Sequence, residues 1–225
     1  MSIAENYRKI KNEIPENVLL LAVSKTKPLE DLEEAYKAGA RDFGENKVQE
    51  MTKKYEEFHK DVRWHLIGNL QRNKVKYIVG KVHLIHSLSS VKLLETIEKE
   101  YEKHNLIANV LIQINIGREE SKTGLLIEDL EELISAVEKC KFVKVKGIMT
   151  IIPKGNEESN RKYFKEVKNI FENLKKREFK NITMEILSMG MTHDYKEAIE
   201  EGSTLVRVGE GIFGKRNYAV NVKEE

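Results

Sequence analysis

The sequence predicts an α/β fold, most simply a closed (β/α)8 barrel of the TIM type. Short apolar runs alternate with longer amphipathic runs along all 225 residues, which is the pattern of strands followed by helices. The eight short runs are nearly continuously apolar, as strands covered on both faces are. Such strands pair in parallel through right-handed crossovers, and the chain length suits the barrel. A doubly wound open sheet, in which some runs are not strands, is the alternative.

Each predicted strand is a short apolar segment that ends in small or polar residues. Parallel strands of this kind end at one common face of the sheet, where the connecting loops gather. The eight predicted strands are Val18–Ser24, Ala40–Phe43, Trp64–Gly68, Val82–Ser87, Asn109–Ile116, Val143–Thr150, Met184–Met189 and Thr204–Val208.

The intervening segments show helical spacing of apolar residues. The first crossover helix starts just after Pro28, whose fixed φ suits a first helical turn, and Gly39 is a stop signal. One extra helix precedes the first strand. The predicted helices are roughly Ile3–Glu13, Leu29–Ala38, Val91–His104, Leu126–Cys140 and Arg161–Lys176.

Composition excludes several classes of protein. The 39 Lys and Arg residues nearly balance the 37 Asp and Glu residues, so the one-signed basic field of a nucleic-acid-binding protein is absent. The single Cys140 excludes a disulfide framework and a cysteine-based zinc site. No apolar run approaches the roughly 18 residues of a membrane helix, and the N-terminus is too polar for a secretory signal. We expect one cytoplasmic domain over 1–225, monomeric, without a nucleic-acid or membrane partner.

The residues just after the predicted strands are the candidates for chemistry, because barrel active sites lie there. Lys25 follows the first strand, where a desolvated amine can form a Schiff base; a solvated surface lysine is the alternative. Asn46 could donate to a ligand oxygen, but the residue type favours a helix N-cap. His65 is more typical of a satisfied core histidine than of an acid or base. His83 and His86 have no metal-ligand spacing to a carboxylate, so we predict no metal site.

Two small turns follow the seventh and eighth strands, at Ser188–Thr192 and Arg207–Gly214. Barrels of this class hold phosphate there, because glycines let backbone N–H groups approach an anion. Ser188 would add a hydroxyl, and Glu210 should turn its side chain away from the anion while its N–H points in. Ordinary turns are the alternative. A lysine facing a phosphate cradle fits pyridoxal 5′-phosphate (PLP), and equally a Schiff-base aldolase acting on a sugar phosphate.

Seven ordered segments carry a resemblance to a known family. The chain resembles the YggS/PROSC family, the pyridoxal-phosphate homeostasis proteins, nearly end to end. The matching segments are LLAVSKTKP (Leu20–Pro28), FGENKVQE (Phe43–Glu50), WHLIGNLQRNK (Trp64–Lys74), HSL (His86–Leu88), VLIQINIGREESKTG (Val110–Gly124), LSMGMTHDYKEAI (Leu187–Ile199) and GSTLVRVGEGIFGKR (Gly202–Arg216).

The resemblance implies a barrel like the N-terminal domain of alanine racemase, fold type III of the PLP proteins. It implies that Lys25, and not Lys27, holds PLP as an internal aldimine, an N6-(pyridoxal phosphate)lysine. Many relatives carry Thr where this chain has Glu210, so one hydroxyl contact to phosphate is expected to be missing. The cofactor-binding residues implied are Lys25, Asn46 near the ring, Ser188, Met189, Gly209 and Glu210 at the phosphate, and Arg207 beside the pyridine nitrogen or the phosphate.

The resemblance also implies a non-catalytic carrier that buffers PLP and delivers it to PLP-dependent apoenzymes, so no catalytic residue is assigned. Alanine racemases add a C-terminal β-domain, and we expect none here because Glu225 follows shortly after the last strand. A PLP-dependent amino-acid racemase, with Lys25 as its acid/base group, is the alternative. Arg207 at the ring nitrogen would weaken the ring as an electron sink and disfavour transamination. A second lysine, Lys27 or Lys122, is a candidate competitor for the aldehyde during release.

Overall fold

The computed structural model describes residues 1–120 and 122–215, and its eight parallel strands close into a barrel in chain order. Each strand pairs with the next, and the last strand pairs with the first. The predicted barrel is therefore confirmed, and the open-sheet alternative is wrong. The strands are β1 (Leu19–Val23), β2 (Asp42–Glu45), β3 (Arg63–Leu66), β4 (Leu84–Leu88), β5 (Ala108–Ile114), β6 (Val143–Thr150), β7 (Ile182–Met191) and β8 (Leu205–Val208).

Helices surround the barrel, and the extra N-terminal helix is confirmed. Its N-terminus is capped by a capping box, in which the Glu5 N–H donates to the Ser2 hydroxyl and the Ser2 N–H donates to the Glu5 carboxylate. Short 3-10 helices lie at Arg72–Tyr77 and Ile127–Asp129. The α-helices are α1 (Ile3–Glu13), α2 (Leu29–Lys37), α3 (Val48–Glu57), α4 (Val91–Glu102), α5 (Leu130–Val137), α6 (Glu157–Lys175), α7 (Tyr195–Glu200) and α8 (Glu210–Phe213).

Two predicted helices differ from the structure at their ends. The predicted helix Leu126–Cys140 is a 3-10 turn followed by the shorter α5. The last long helix, α6, begins at Glu157 rather than at Arg161, because the Asn156 side chain caps it by accepting the Ser159 N–H at 2.9 Å. Capping chemistry, rather than apolar spacing, decides where α6 starts.

The core has two parts, which explains why the strands read as continuously apolar. The larger part lies between the barrel wall and the helices, with Trp64, Phe43 and Phe164 as its largest fully buried side chains. Smaller clusters fill the barrel interior. The interior clusters are Leu21, Val23, Ile67 and Leu205, and Leu84, Leu111 and Met149.

Helix α1 packs beside α8, next to the junction of the last and first strands. The Asn6 side chain donates to the Ile212 carbonyl at 3.1 Å, across almost the whole described chain. Helix α1 therefore packs against and stabilises the segment that follows β8. Within residues 1–120 and 122–215, no helix is both long enough and apolar enough to cross a bilayer.

Candidate functional site

Lys25 lies immediately beyond β1, in a tight turn at the carboxyl end of the barrel. The Ser24 N–H donates to the Gly44 carbonyl at 3.0 Å, and the Lys27 N–H donates back to the Ser24 carbonyl at 3.1 Å. Thr26 has φ of 65°, a left-handed conformation that is uncommon for a non-glycine residue. The Lys25 backbone is thus held in one defined turn, and its side chain is half-buried.

The pairing of β8 with β1 brings the glycine turn beside this lysine. Arg207 stands opposite Leu21 in the register, which puts Gly209 level with the end of β1. A Cβ built on Gly209 would lie 3.2 Å from the Val23 carbonyl oxygen, so the approach is close. A cavity of about 390 Å³ opens there, lined by Val23, Lys25, Lys27, Gly209, Glu210, Gly214 and Lys215.

Backbone N–H groups and one hydroxyl gather at the start of α8. Gly209 is the N-cap, and the first N–H groups of a helix have no intrahelical acceptor. The Gly211 N–H donates to Thr192 Oγ1 at 3.3 Å. The Glu210 side chain is 45% exposed, and its carboxylate lies 3.9 Å from His193 Nε2. The turn therefore offers polar hydrogens to a ligand, and the Glu210 carboxylate lies towards His193 of the loop between β7 and α7.

Two residues expected at the phosphate, Ser188 and Met189, do not line the cavity beside Lys25. The Ser188 hydroxyl is fully buried inside the barrel, where it accepts from Arg207 Nη1 at 2.7 Å. The Met189 side chain belongs to the core outside the barrel, and its carbonyl accepts from the Ser203 hydroxyl at 2.7 Å. The Ser188 hydroxyl is therefore a hydrogen-bond partner of the Arg207 guanidinium. The hydroxyl at the glycine turn is that of Thr192, which the sequence analysis did not single out.

Asn46 follows β2 at the same face and is half-buried. The prediction that it caps a helix is wrong, because Lys47 occupies the N-cap of α3 without a side-chain hydrogen bond. A Cβ on Gly68 would lie 2.3 Å from the Asn46 carbonyl oxygen, so the end of β3 presses directly on the Asn46 backbone. This contact fixes Asn46 at the mouth of the barrel without using its carboxamide.

A buried chain of polar side chains crosses the barrel interior from Arg207. Beyond Ser188, the chain continues through His86 Nδ1, 3.2 Å from the Ser188 hydroxyl. His86 Nε2 then lies 2.9 Å from His65 Nδ1, and His65 Nε2 lies 3.1 Å from Asp42 Oδ1. The interpretation of His65 as a satisfied core histidine is confirmed.

The two ends of this chain have fixed hydrogen-bonding roles. Arg207 can only donate and the Asp42 carboxylate can only accept. Burial holds the pKa of His86 well below its usual value, so this imidazole is neutral and has one donor nitrogen and one acceptor nitrogen. Burial also lowers the pKa of Arg207 to about 10, which still leaves the guanidinium charged at neutral pH.

Asp42 gives the barrel a defined response to acid. Burial alone raises its pKa, but hydrogen bonds from His65 and Arg63 outweigh burial and lower the pKa to about 2 from 3.8. A carboxylate whose pKa is lower in the folded state than in the unfolded state stabilises the fold at pH values above its unfolded-state pKa. This stabilisation is lost as the pH falls through the folded-state pKa. We expect this group to contribute about 2 kcal/mol, lost between roughly pH 4 and pH 2.

The measurement is the free energy of unfolding by denaturant at neutral and acid pH. Asp42→Asn keeps an acceptor for His65 but cannot titrate, so its deficit relative to the wild type should shrink as pH falls. The exposed Asp129→Asn is the matched control and should follow the wild type at every pH. A deficit in Asp42→Asn that is constant with pH would contradict the assignment.

The two lysines named as competitors for the aldehyde are both engaged. Lys27 Nζ donates to the Phe213 carbonyl at 2.8 Å. Lys122 Nζ donates to the Ile152 carbonyl at 3.2 Å and pairs with Glu119. Across residues 1–120 and 122–215, no group of three or more His, Cys, Asp or Glu side chains could hold a metal ion.

Comparison with known proteins now identifies the family. The family model described as alanine racemase, N-terminal domain, matches residues 1–217. A pyridoxal phosphate homeostasis protein of Aquifex aeolicus is 47% identical over 201 residues, covering 88% of this chain and 87% of the relative. This chain belongs to the pyridoxal phosphate homeostasis protein family. The relative of that name from Haemophilus influenzae is 38% identical, covering 96% of this chain and 93% of its own.

Solved structures agree with this assignment. PipY of Synechococcus elongatus, in a structure with PLP bound, is 32% identical with a TM-score of 0.87, covering 95% of this chain and 100% of PipY. Alanine racemase of E. faecalis, at 17% identity and a TM-score of 0.73, shares the fold; the match covers 95% of this chain and 58% of the racemase. The resemblance to the homeostasis family and the alanine-racemase-like barrel are both confirmed.

Proposed function

We propose that this protein binds PLP as a Schiff base on Lys25 and serves PLP homeostasis by buffering the cofactor and delivering it to PLP-dependent apoenzymes. One observation carries the proposal: the β8–β1 junction puts Lys25 and the Gly209–Glu210 turn around the same cavity. The names of the relatives and the PLP bound in PipY support the same cofactor. We propose a cytoplasmic monomer that meets apoenzymes only transiently.

The residues present fit the cofactor. The cavity of about 390 Å³ is within the usual range of small-molecule pockets. The N–H groups of Gly209 and Glu210, two residues that line this cavity, suit the phosphate, because fixed donors at a helix start favour an anion. When bound, PLP supplies an aldehyde that condenses with the lysine amine and releases water. We assign Lys25 as the point of attachment and Asn46 as a neighbour of the ring.

Arg207 is the residue that argues against transamination. Its guanidinium bonds to Ser188 and to the Thr150 carbonyl at 2.8 Å, which uses two of its five N–H donors. The remaining donors suit an unprotonated pyridine nitrogen. A donor-only cation at that nitrogen keeps a proton off it, so the ring would stabilise a carbanion poorly. A carrier or a racemase therefore fits this arrangement better than a transaminase does.

The proposal is tested by trapping. Protein loaded with PLP should be yellow, and borohydride reduction should fix one PLP on the tryptic peptide that contains Lys25. Mass spectrometry that finds the label on Lys27 or Lys122, or finds none, would contradict the assignment. Delivery is measured by adding loaded protein to a PLP-free apoenzyme in the presence of a scavenger of free PLP, and recovery of its activity is expected.

A second assay separates a carrier from a racemase. Loaded protein is incubated with individual L-amino acids in deuterated water, and deuterium at Cα is measured. A carrier exchanges the proton no faster than free PLP does under the same conditions. Rapid exchange together with appearance of the D-amino acid would replace the carrier role with the racemase alternative.

A further inference from the structure

A buried cluster of charges lies directly beneath the turn that contains Lys25. Lys54 of α3 is 6% exposed, and its ammonium donates to Glu45 Oε1, Glu50 Oε1 and the Ser24 carbonyl, each at 2.8 Å. Glu45 ends β2 and is fully buried, and it also accepts from the Ser24 hydroxyl at 2.6 Å. The cluster therefore connects β2, α3 and the end of β1.

The Lys54 ammonium has no hydrogen-bonding capacity left over. Its three N–H donors meet three acceptors, so the position of its nitrogen is defined from three directions. Buried lysines are rare and cost free energy unless they are paired in this way. Neither Lys54 nor Glu45 lines the cavity beside Lys25, so neither is needed there as a direct ligand.

The cluster holds both neighbours of Lys25. On one side it binds the hydroxyl and the carbonyl of Ser24. On the other side the Thr26 N–H donates to Glu50 Oε1 at 2.6 Å. Because Thr26 has φ of 65°, its conformation is unfavourable in itself and needs an external contact to persist. The Glu50 carboxylate supplies that contact, and Lys54 holds the carboxylate in place.

The net charge of the cluster depends on whether Glu45 is ionised. Two carboxylates share one ammonium, and Glu45 Oε2 is buried without a partner among the described residues. Burial raises the pKa of Glu45 to about 7, although Lys54 acts in the opposite direction. The charged groups in contact with the turn are Glu45 from β2, and Glu50 and Lys54 from α3. The cavity beside Lys25 is also lined by the charged residues Lys27, Glu210 and Lys215.

We propose that Lys54 is a positioning residue that, through Glu45 and Glu50, fixes the Ser24–Thr26 turn and the electrostatic environment of the Lys25 amine. The inference rests on the proposed function for its biological meaning, since it assigns Lys25 as the PLP attachment point. Its physical content concerns the unloaded protein and can be tested there.

The experiment is competitive trace acetylation of the unloaded protein at a series of pH values, with the extent of labelling at Lys25 read by mass spectrometry. In Lys54→Met a nearby positive charge is lost, so at pH values high enough to keep Glu45 ionised the Lys25 amine should hold its proton to higher pH and react roughly threefold more slowly at a fixed pH below its midpoint. In Glu50→Gln a negative charge is lost, and the midpoint should move in the opposite direction. The exposed neighbour Lys53→Met is the matched control and should leave the Lys25 profile unchanged.

A role in general stability alone would not move the two profiles in opposite directions. If Lys54→Met folds poorly, Glu50→Gln still tests the proposal, because that carboxylate is only partly buried. Identical Lys25 profiles in wild type, Lys54→Met and Glu50→Gln would overturn the proposal. In the loaded protein, Lys54→Met should weaken PLP binding roughly tenfold or more. Failure of PLP to attach to wild-type Lys25 would refute the proposed function, whereas the acetylation profiles would still decide the role of Lys54.

Discussion

Lys25→Ala is expected to give a colourless protein that retains the fold. This substitution removes the proposed attachment amine and leaves the backbone N–H groups of the Gly209–Glu210 turn, proposed for the phosphate, intact. PLP should then bind without a covalent bond, with Kd increased roughly 100-fold, which corresponds to about 2.7 kcal/mol. The measurements are the visible absorbance after loading and a titration followed by equilibrium dialysis.

Lys27→Ala is the discriminating comparison, because it removes an equally near lysine. Lys27 Nζ is committed to the Phe213 carbonyl, so this variant should stay yellow after loading. Loss of colour in Lys27→Ala with retention of colour in Lys25→Ala would reverse the assignment of the two lysines. A far-UV circular dichroism spectrum like that of the wild type shows that each variant is folded.

Gly147→Ala is expected to cause the largest loss of stability. Gly147 lies within β6 at φ of 151°, where the register with β7 shifts, and a Cβ there would lie 1.8 Å from the Ile186 carbonyl oxygen. That atom belongs to the backbone of the neighbouring strand, so relief requires the two strands to part. We expect a loss on the order of 3 kcal/mol or more in the free energy of unfolding, measured by denaturant titration.

Gly39→Ala separates conformational strain from this clash. Gly39 also has a positive φ, of 108°, but no atom lies within 4 Å of the position of its Cβ. It should lose roughly 1 kcal/mol, from the backbone conformation alone. A loss in Gly147→Ala no greater than that in Gly39→Ala would show that β6 and β7 can adjust to the added methyl group.

The barrel could be predicted because apolar continuity is a local property of each strand. The polar chain through the interior could not, because its members are far apart in the sequence: His65 and His86 are separated by 21 residues, and His86 and Ser188 by 102. Only closure of the barrel brings interior positions of β2, β3, β4, β7 and β8 together. Nothing near His65 in the sequence indicates that its partners are Asp42 and His86.

The residue at which β7 ends decides which side chains belong to the turn after it. The predicted seventh strand stops at Met189, whereas β7 continues to Met191. Ser188 lies inside the strand in both cases, with its hydroxyl bonded to Arg207, and the longer β7 moves the start of the turn further along, to Thr192. The buried cluster around Lys54 could not be predicted from the sequence for a different reason. Among the 39 basic residues of this chain, no feature of the sequence separates one buried lysine from the exposed lysines around it.

The closure of β8 on β1 has a consequence for biosynthesis. The lysine turn is synthesised well before the glycine turn that faces it, because seven strands precede β8 in the chain. A nascent chain that ends before β8 therefore lacks the Gly209–Glu210 side of the cavity, and we expect it to hold PLP more weakly than the closed barrel does. Once closed, a ligand that contacts both turns bridges the first and last strands and opposes their separation. Loading should accordingly slow unfolding that starts by opening of this junction.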